Sequence, residues 1–222
     1  MSWFVSAIIA GITSFVATNI DDILILMIFF TQVNSTLRRR HIVVGQYLGF
    51  IAILLASLPG FLGGLILPKP WIGLLGLVPI GIGISHLLNR EKDEEVIQVV
   101  SEQFNPSTAN GSLRSILGSL VNPQTFNVAA VTFANGGDNI GIYVSLFASI
   151  NLASLGVILG VFFLLIGVWC YLAYRLSRQP AIAHILARYG HAIVPFVLIG
   201  LGIFILVESG SYTLFKTIIF FN

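Results

Sequence analysis

Long apolar stretches dominate this chain and restrict what it can fold into. Hydrophobic residues make up 56% of its 222 residues and charged residues only 9%, whereas soluble domains have about 45–50% and 25%. A helix needs roughly 20 apolar residues to cross the hydrocarbon core of a bilayer. Six segments meet that length, at residues 3–30, 42–67, 71–88, 123–150, 152–174 and 192–215. The sequence therefore predicts an all-α, polytopic membrane protein with six transmembrane helices embedded in the lipid bilayer.

Basic residues lie on alternate connections between these spans. The connections after spans one, three and five hold Arg38, Arg39, Arg40, Arg90, Lys92, Arg114, Arg175, Arg178 and Arg188, and the other side holds Lys69 and Lys216. The positive-inside rule places the arginine-rich side in the cytoplasm and both termini on the non-cytoplasmic side of the cell membrane. No basic face is long enough to follow a phosphate backbone, so a nucleic-acid partner is not expected.

Two related polar motifs occur inside the apolar spans one and four. Residues 17–23 read ATNIDDI, and residues 134–140 read ANGGDNI. Aligning them places Asp21 opposite Asp138 and Asp22 opposite Asn139, 117 positions apart. A second echo, VPI at 78–80 and VPF at 194–196, has an offset of 116. Two echoes at nearly the same offset indicate that the chain is built from two related halves.

The repeat contains three spans, so its second copy enters the membrane in the opposite direction. Inverted repeats of this kind are how many transporters build alternating access around a site at the bilayer midplane. The predicted organisation is a first three-helix repeat at 1–88, a cytoplasmic loop at 89–114 and a second three-helix repeat at 115–222. The acidic run at 91–95 is a solvated tether or, alternatively, a metal-sensing patch.

Both motifs place carboxylates in hydrocarbon, at a cost of roughly 2.5–3.5 kcal/mol each on insertion scales. Neither span contains Lys or Arg, so the compensating charge is expected to come from a metal cation as substrate, with no resident cofactor. Adjacent aspartates cannot face one ion from a regular helix, and glycine pairs mark kinks, so helices one and four are expected to be broken. Such breaks free backbone carbonyls, which complete an oxygen cage. The candidate metal ligands are Asn19, Asp21, Asp22, Asn135, Asp138 and Asn139, with Thr18 as a weaker candidate.

An all-oxygen ligand set favours Mn²⁺, Ca²⁺ or Mg²⁺ over soft ions. Neighbouring carboxylates titrate as a coupled set, and such a set is able to exchange protons for metal. The alternative is structural, with Asp–Asn hydrogen bonds that pin two helices together.

Three further polar residues have open roles. Gln46 is either a pathway residue or an ordinary helix–helix hydrogen-bonding residue. Glu208 is either solvated near the outer end of span six or part of an exit path. His86 is expected at the cytoplasmic interface of span three rather than at the metal.

The motif at 18–22, the second motif at Asp138 and Asn139, the six spans and the length together resemble the CadD-type cadmium resistance transporter family, within the LysE-like exporter superfamily. The resemblance covers essentially the whole chain. It implies export of divalent heavy metals, cadmium foremost, by proton exchange, and it leaves a homodimer open. The residues that carry this implication are Asn19, Asp21, Asp22, Asp138 and Asn139. The oxygen ligands do not select Cd²⁺ against Mn²⁺, Zn²⁺ or Ca²⁺.

Two other functions compete with metal export. An intramembrane aspartyl protease would also place two acids in the membrane, but position 135 is Asn where a Gly-x-Gly-Asp pattern needs Gly. An amino-acid exporter of the same superfamily needs a partner for the substrate carboxylate. No Arg lies inside a span, so helix N-termini would have to bind that carboxylate.

Overall fold

The computed structural model describes residues 2–88, 122–178 and 180–209, and every regular element within them is a helix. The helices are α1 (Ser2–Asn19), α2 (Asp22–Thr31), α3 (Arg39–Ile66), α4 (Lys69–Gly73), a 3₁₀ turn at Leu74–Gly76, α5 (Leu77–Leu88), α6 (Pro123–Asn135), α7 (Gly137–Ser149), α8 (Leu152–Leu176) and α9 (Pro180–Glu208). The predicted loop at 89–114, its acidic run and the end of the sixth predicted span lie outside the described residues. The all-α prediction is confirmed for the described part.

Three described helical segments are long and apolar enough to cross a membrane, namely Arg39–Ile66, Trp71–Leu88 and Leu152–Leu176. The bent pair formed by α1 and α2 counts as a fourth span when taken together, and Val194–Glu208 is a shorter apolar helix. The chain is therefore a helical membrane protein. The third predicted span is interrupted near its start, where a 3₁₀ turn separates α4 from α5.

The first predicted helix break is confirmed at the first polar motif. The helix axis bends by 59° between Asn19 and Asp22. Asn and Asp favour such ends because their side chains compete with the helix for backbone hydrogen bonds. The second motif is also interrupted, because α6 ends at Asn135 and α7 begins at Gly137. Asp22 and Asp138 each lie in the first turn of the following helix, where the helix macrodipole favours negative charge.

The helices pack across the two halves of the chain. Helix α3 packs mainly against α6 and α7, α8 packs against α1 and α2, and α5 packs against α9. The α3–α6 contact is a glycine seam at Gly45 and Gly49. A Cβ added to Gly45 would lie 2.6 Å from Cβ of Val128, and one added to Gly49 would lie 2.6 Å from the carbonyl oxygen of Ala129. Small residues let helix backbones approach closely in membranes, so this seam sets the position of α3 on α6.

An aromatic layer lies where α1 and α8 meet, and it also includes rings from α3 and α7. The aromatic layer consists of Phe15, Phe50, Tyr143 and Phe162. Its ring centroids lie 5.0 Å apart for Tyr143 and Phe162 and 6.0 Å apart for Phe50 and Tyr143, within the 4.5–7 Å range of favourable aromatic pairs. All four side chains are buried. The layer packs four helices together one turn from the polar motifs.

Candidate functional site

The carboxylate of Asp22 is held by side chains from two other helices. It is 4% exposed. Its Oδ2 accepts a hydrogen bond from Nε2 of Gln46 at 2.9 Å, and its Oδ1 accepts one from Nδ2 of Asn135 at 2.8 Å. Thr132 donates its hydroxyl to Oε1 of Gln46 at 2.7 Å. The oxygen and the nitrogen of the Gln46 amide therefore each have a partner, and both carboxyl oxygens of the buried Asp22 are hydrogen-bonded, as buried polar groups require.

Asn135 connects the two broken helices. Its Nδ2 donates to Oδ2 of Asp21 at 3.0 Å as well as to Asp22. Carboxylates only accept hydrogen bonds, so these contacts fix which side of the Asn135 amide carries nitrogen. In this conformation Asn135 presents its donor, and not its oxygen, to the two aspartates. It holds together the groups that would otherwise repel each other.

The second motif is arranged differently. The backbone N–H of Asn139 donates to Oδ1 of Asp138 at 3.0 Å. Asp138 is exposed whereas Asn139 is buried. The carboxylate of Asp138 thus lies open at the start of α7, supported in part by its own helix.

Asn19 is buried with one unused oxygen. Its Nδ2 donates to the carbonyl of Phe15 at 2.9 Å and to the hydroxyl of Tyr143 at 2.9 Å. Because a carbonyl only accepts, the Asn19 amide orientation is fixed. Its Oδ1 has no hydrogen-bond partner within the part of the chain described. A buried acceptor of this kind costs about 1–3 kcal/mol when nothing binds it.

Two residues hold the end of α1 beside this amide. The hydroxyl oxygen of Tyr143 lies 2.6 Å from the hydroxyl oxygen of Thr18. The indole N–H of Trp169 donates to the backbone carbonyl of Asn19 at 2.6 Å. One backbone carbonyl at the break is therefore already engaged by Trp169. The expectation of freed carbonyls is wrong for this one, because a buried indole N–H needs an acceptor as much as the carbonyl needs a donor.

A small cavity of about 30 Å³ lies between the two breaks. Its polar walls come from Thr18, Asp21, Asp138, Asn139 and His86. That volume holds about one or two water-sized particles. Two carboxylates from opposite motifs line this space, and none of its described lining residues is Lys or Arg.

The six predicted ligands therefore divide into three groups. Asp21, Asp138 and Asn139 line the cavity. Asp22 and Asn135 form the hydrogen-bonded network beside it, and Asn19 contacts Tyr143. Among the described residues no three His, Cys, Asp or Glu side chains form a ready group for a metal ion.

Sequence reasoning noticed Gln46 but missed Thr132, Tyr143 and Trp169. Each of these three lies on a helix remote in sequence from Asp22 or Asn19. Thr132 is a polar residue inside an apolar span, and this feature alone only weakly indicates a functional residue. Tyr143 and Trp169 read as ordinary core aromatics.

A second, larger cavity of about 540 Å³ lies at the other ends of these helices. Ser6, Asn151, Ser154 and Glu208 contribute to its polar walls. Glu208 is exposed. Along α1, the aromatic Phe15 lies between Ala10 in this cavity's wall and Asn19 at the break, so the aromatic layer separates the large cavity from the small one.

Comparison with protein families identifies a match over most of the chain. A family model described as cadmium resistance transporter matches residues 15–218, which is nearly the whole chain. The search of curated proteins and the search of solved structures each found no match.

Proposed function

This chain belongs to the cadmium resistance transporter family, and from that premise we propose that it exports divalent metal cations across the cell membrane in exchange for protons. Cd²⁺ is the leading substrate, and Mn²⁺, Zn²⁺ and Ca²⁺ are the other ions considered. The ion binds between the two helix breaks.

The cavity between Asp21 and Asp138 is the observation that carries this proposal. Both carboxylates line a space of about 30 Å³, and its described lining residues include His86 but neither Lys nor Arg. A cation bound between two carboxylates from opposite motifs would offset the cost of placing negative charge at membrane depth. The volume suits an ion that has shed most of its hydration shell.

The neighbouring polar groups support a larger ligand set. Asn19 offers a buried oxygen without a partner in the described chain, and Asn139 lines the cavity. Asn135 holds Asp21 and Asp22 with one amide nitrogen. In the mechanism we propose, the arriving cation replaces that donor, and the Asn135 amide turns its oxygen toward the ion.

Proton exchange follows from competition for the same oxygens. Carboxylates must be deprotonated to bind a metal, so metal binding releases protons and protonation releases metal. Asp21 and Asp22 are adjacent and share the Asn135 donor, which makes their protonation interdependent. A proton taken up from the outside would discharge the ion there.

Alternating access is proposed to use six spans in two inverted repeats. The packing of the described helices is reciprocal, because α3 contacts the broken helix of the second half and α8 contacts that of the first. A pseudo-two-fold axis in the membrane plane would produce this exchange. With the arginine-rich connections in the cytoplasm, both termini and the large cavity with Glu208 face the non-cytoplasmic side. The aromatic layer would then close the outer path in this conformation.

Two observations argue against the competing functions. The described lining of the cavity contains no Lys or Arg that would bind the carboxylate of an amino-acid substrate. An aspartyl protease would pair an aspartate of the first motif with Asp138, but position 135 is Asn where the Gly-x-Gly-Asp pattern of such a site needs Gly.

Uptake into inside-out membrane vesicles tests the proposal. The measurement compares Cd²⁺, Mn²⁺, Zn²⁺, Ca²⁺ and Mg²⁺ with the vesicle lumen at neutral and at acid pH and the bath neutral. We expect the acid lumen to accelerate uptake of at least one transported ion, and a protonophore to remove that difference. Asp21→Asn and Asp138→Asn should each reduce uptake to background.

The matched control is Ser85→Ala, an exposed position on α5 that does not line the cavity. Uptake that survives both aspartate substitutions would place the ion elsewhere. Uptake that ignores the pH gradient would remove proton exchange while leaving metal export standing.

A further inference from the structure

His86 lies at the wall of the small cavity, where the sequence placed only an interfacial residue. It belongs to the last turn of α5, and its side chain is half-buried. It lines the same cavity as Asp21 and Asp138. Those two carboxylates come from the two helix breaks, and His86 comes from a third helix that carries neither motif.

The packing of α5 on α9 fixes the backbone position from which the His86 side chain extends. Gly83 lies one turn before it on the same helix face, as residues three apart do. A Cβ added to Gly83 would lie 2.8 Å from the carbonyl oxygen of Pro195 and 3.0 Å from Cγ1 of Ile199. The backbone of α5 is therefore pressed against α9, and this contact sets the position from which His86 reaches the cavity.

The geometry points to His86 as a nitrogen ligand that determines which cation this site prefers. This inference rests on the proposed function. The other polar side chains that line the cavity offer oxygen. Carboxylate and amide oxygens suit Ca²⁺, Mg²⁺ and Mn²⁺, whereas imidazole suits Zn²⁺ and other borderline metals; Cd²⁺, the softer congener of Zn²⁺, shares that preference. A cation held between Asp21 and Asp138 meets one imidazole, and that imidazole discriminates against hard ions.

The ligands are not drawn together before the ion arrives. No three His, Cys, Asp or Glu side chains in the described chain form a preassembled group. In this proposal the metal draws His86 toward the carboxylates by side-chain rotation. A hard ion gains little from this rotation, because water or an amide oxygen serves it equally well, while Cd²⁺ or Zn²⁺ gains a preferred donor.

Selectivity of uptake in inside-out vesicles tests this inference. We expect His86→Ala to reduce uptake of Cd²⁺ and Zn²⁺ about tenfold or more, because mutations around a metal site typically lower metal affinity or activity by at least that factor. Uptake of Mn²⁺ and Ca²⁺ should change less than about twofold. His86→Cys should restore Cd²⁺ uptake, since a thiolate is a still softer ligand. Ser85→Ala is the matched control on the neighbouring exposed position.

The outcomes separate this inference from the proposed function. An unchanged Cd²⁺-to-Mn²⁺ ratio in His86→Ala, or an equal loss of every metal that His86→Cys does not restore, would overturn the ligand role. Metal uptake by the unaltered protein together with its loss in Asp21→Asn would leave the proposed function intact in either case. Failure of the unaltered protein to move any of these metals would remove both.

Discussion

The two helix breaks carry related motifs in the sequence, but Asp22 and Asp138, which occupy different positions of those motifs, have different surroundings in the structure. At the first break, Asp22 is 4% exposed and its donors, Gln46 and Asn135, come from two other helices. At the second break, Asp138 is exposed and accepts from the backbone of the next residue. The first carboxylate is built into the helix packing, whereas the second is accessible at the cavity wall.

The seams beside the two breaks differ in the same way. The α3–α6 contact beside Gln46 is made by glycines, which bring Gly49 against Thr132. The corresponding α8–α1 contact is made by Phe15, Phe162 and Trp169. Close backbone approach lets short polar side chains meet across the first seam, while bulky rings fill the second. The lesson is that both halves contribute to the fixed polar network around Asp22, whereas the second motif supplies an exposed carboxylate.

Replacing Gln46, which holds the buried Asp22, should cause the largest loss of stability among the variants predicted here. Gln46→Leu leaves Oδ2 of Asp22 without its donor and the hydroxyl of Thr132 without its acceptor. Hydrogen bonds to charged groups contribute about 1.5–3 kcal/mol. We expect thermal unfolding in detergent to show that the free energy of unfolding falls by up to about 3 kcal/mol. Metal uptake should fall at least about tenfold.

The matched control comes from the repeat itself. Phe163 stands 117 positions after Gln46 and is exposed on α8. Phe163→Leu should change stability by less than about 0.5 kcal/mol. Equal losses in the two variants would contradict the view that only the first break depends on the facing helix.

A methyl group at Gly49 tests the glycine seam and should have an intermediate effect. The added Cβ would lie 2.6 Å from both the Ala129 carbonyl oxygen and Cβ of Thr132. Overpacking of this kind costs about 1–3 kcal/mol, so Gly49→Ala should lower the free energy of unfolding by about 2 kcal/mol. Gly63→Ala on the same helix is the control, because no neighbouring atom lies within 4 Å of its added Cβ. Similar stabilities for both variants would show that α3 and α6 are not in such close contact.

Removing the Tyr143 hydroxyl should have the smallest effect on stability, and it tests whether this hydroxyl holds the end of α1. Tyr143→Phe keeps the ring against Phe162 but removes the hydroxyl that contacts Thr18 and Asn19. A net loss of about 1 kcal/mol in unfolding is expected. Tyr47→Phe, which removes an exposed hydroxyl that donates to the carbonyl of Phe163, should cost less. A larger loss in Tyr47→Phe would mean that the buried hydroxyl does not hold the end of α1.

Much of this arrangement was readable from particular residues. The adjacent Asp21 and Asp22 predicted the first break, because two neighbouring carboxylates cannot share one helix face. The pairing of Asp21 with Asp138 predicted that they meet, and both line one cavity. Gln46 was identified only as a candidate, since nothing local indicates which buried group a glutamine will contact. His86 was expected at the interface, and it does lie in the last turn of α5; that it also lines the cavity depends on the facing helices and has no local signal in the sequence.

The sequence by itself determined that the chain is helical, that it lies in a membrane, and that two aspartate motifs interrupt its helices. These follow from apolar length and from local backbone preference, which act within a single segment. Only the tertiary structure decided that Asp22 is held by Gln46 and Asn135, that Asp138 is exposed, and that His86 reaches their cavity. Those facts depend on which helix faces which, and that is set by glycine contacts and ring packing between segments far apart in the chain.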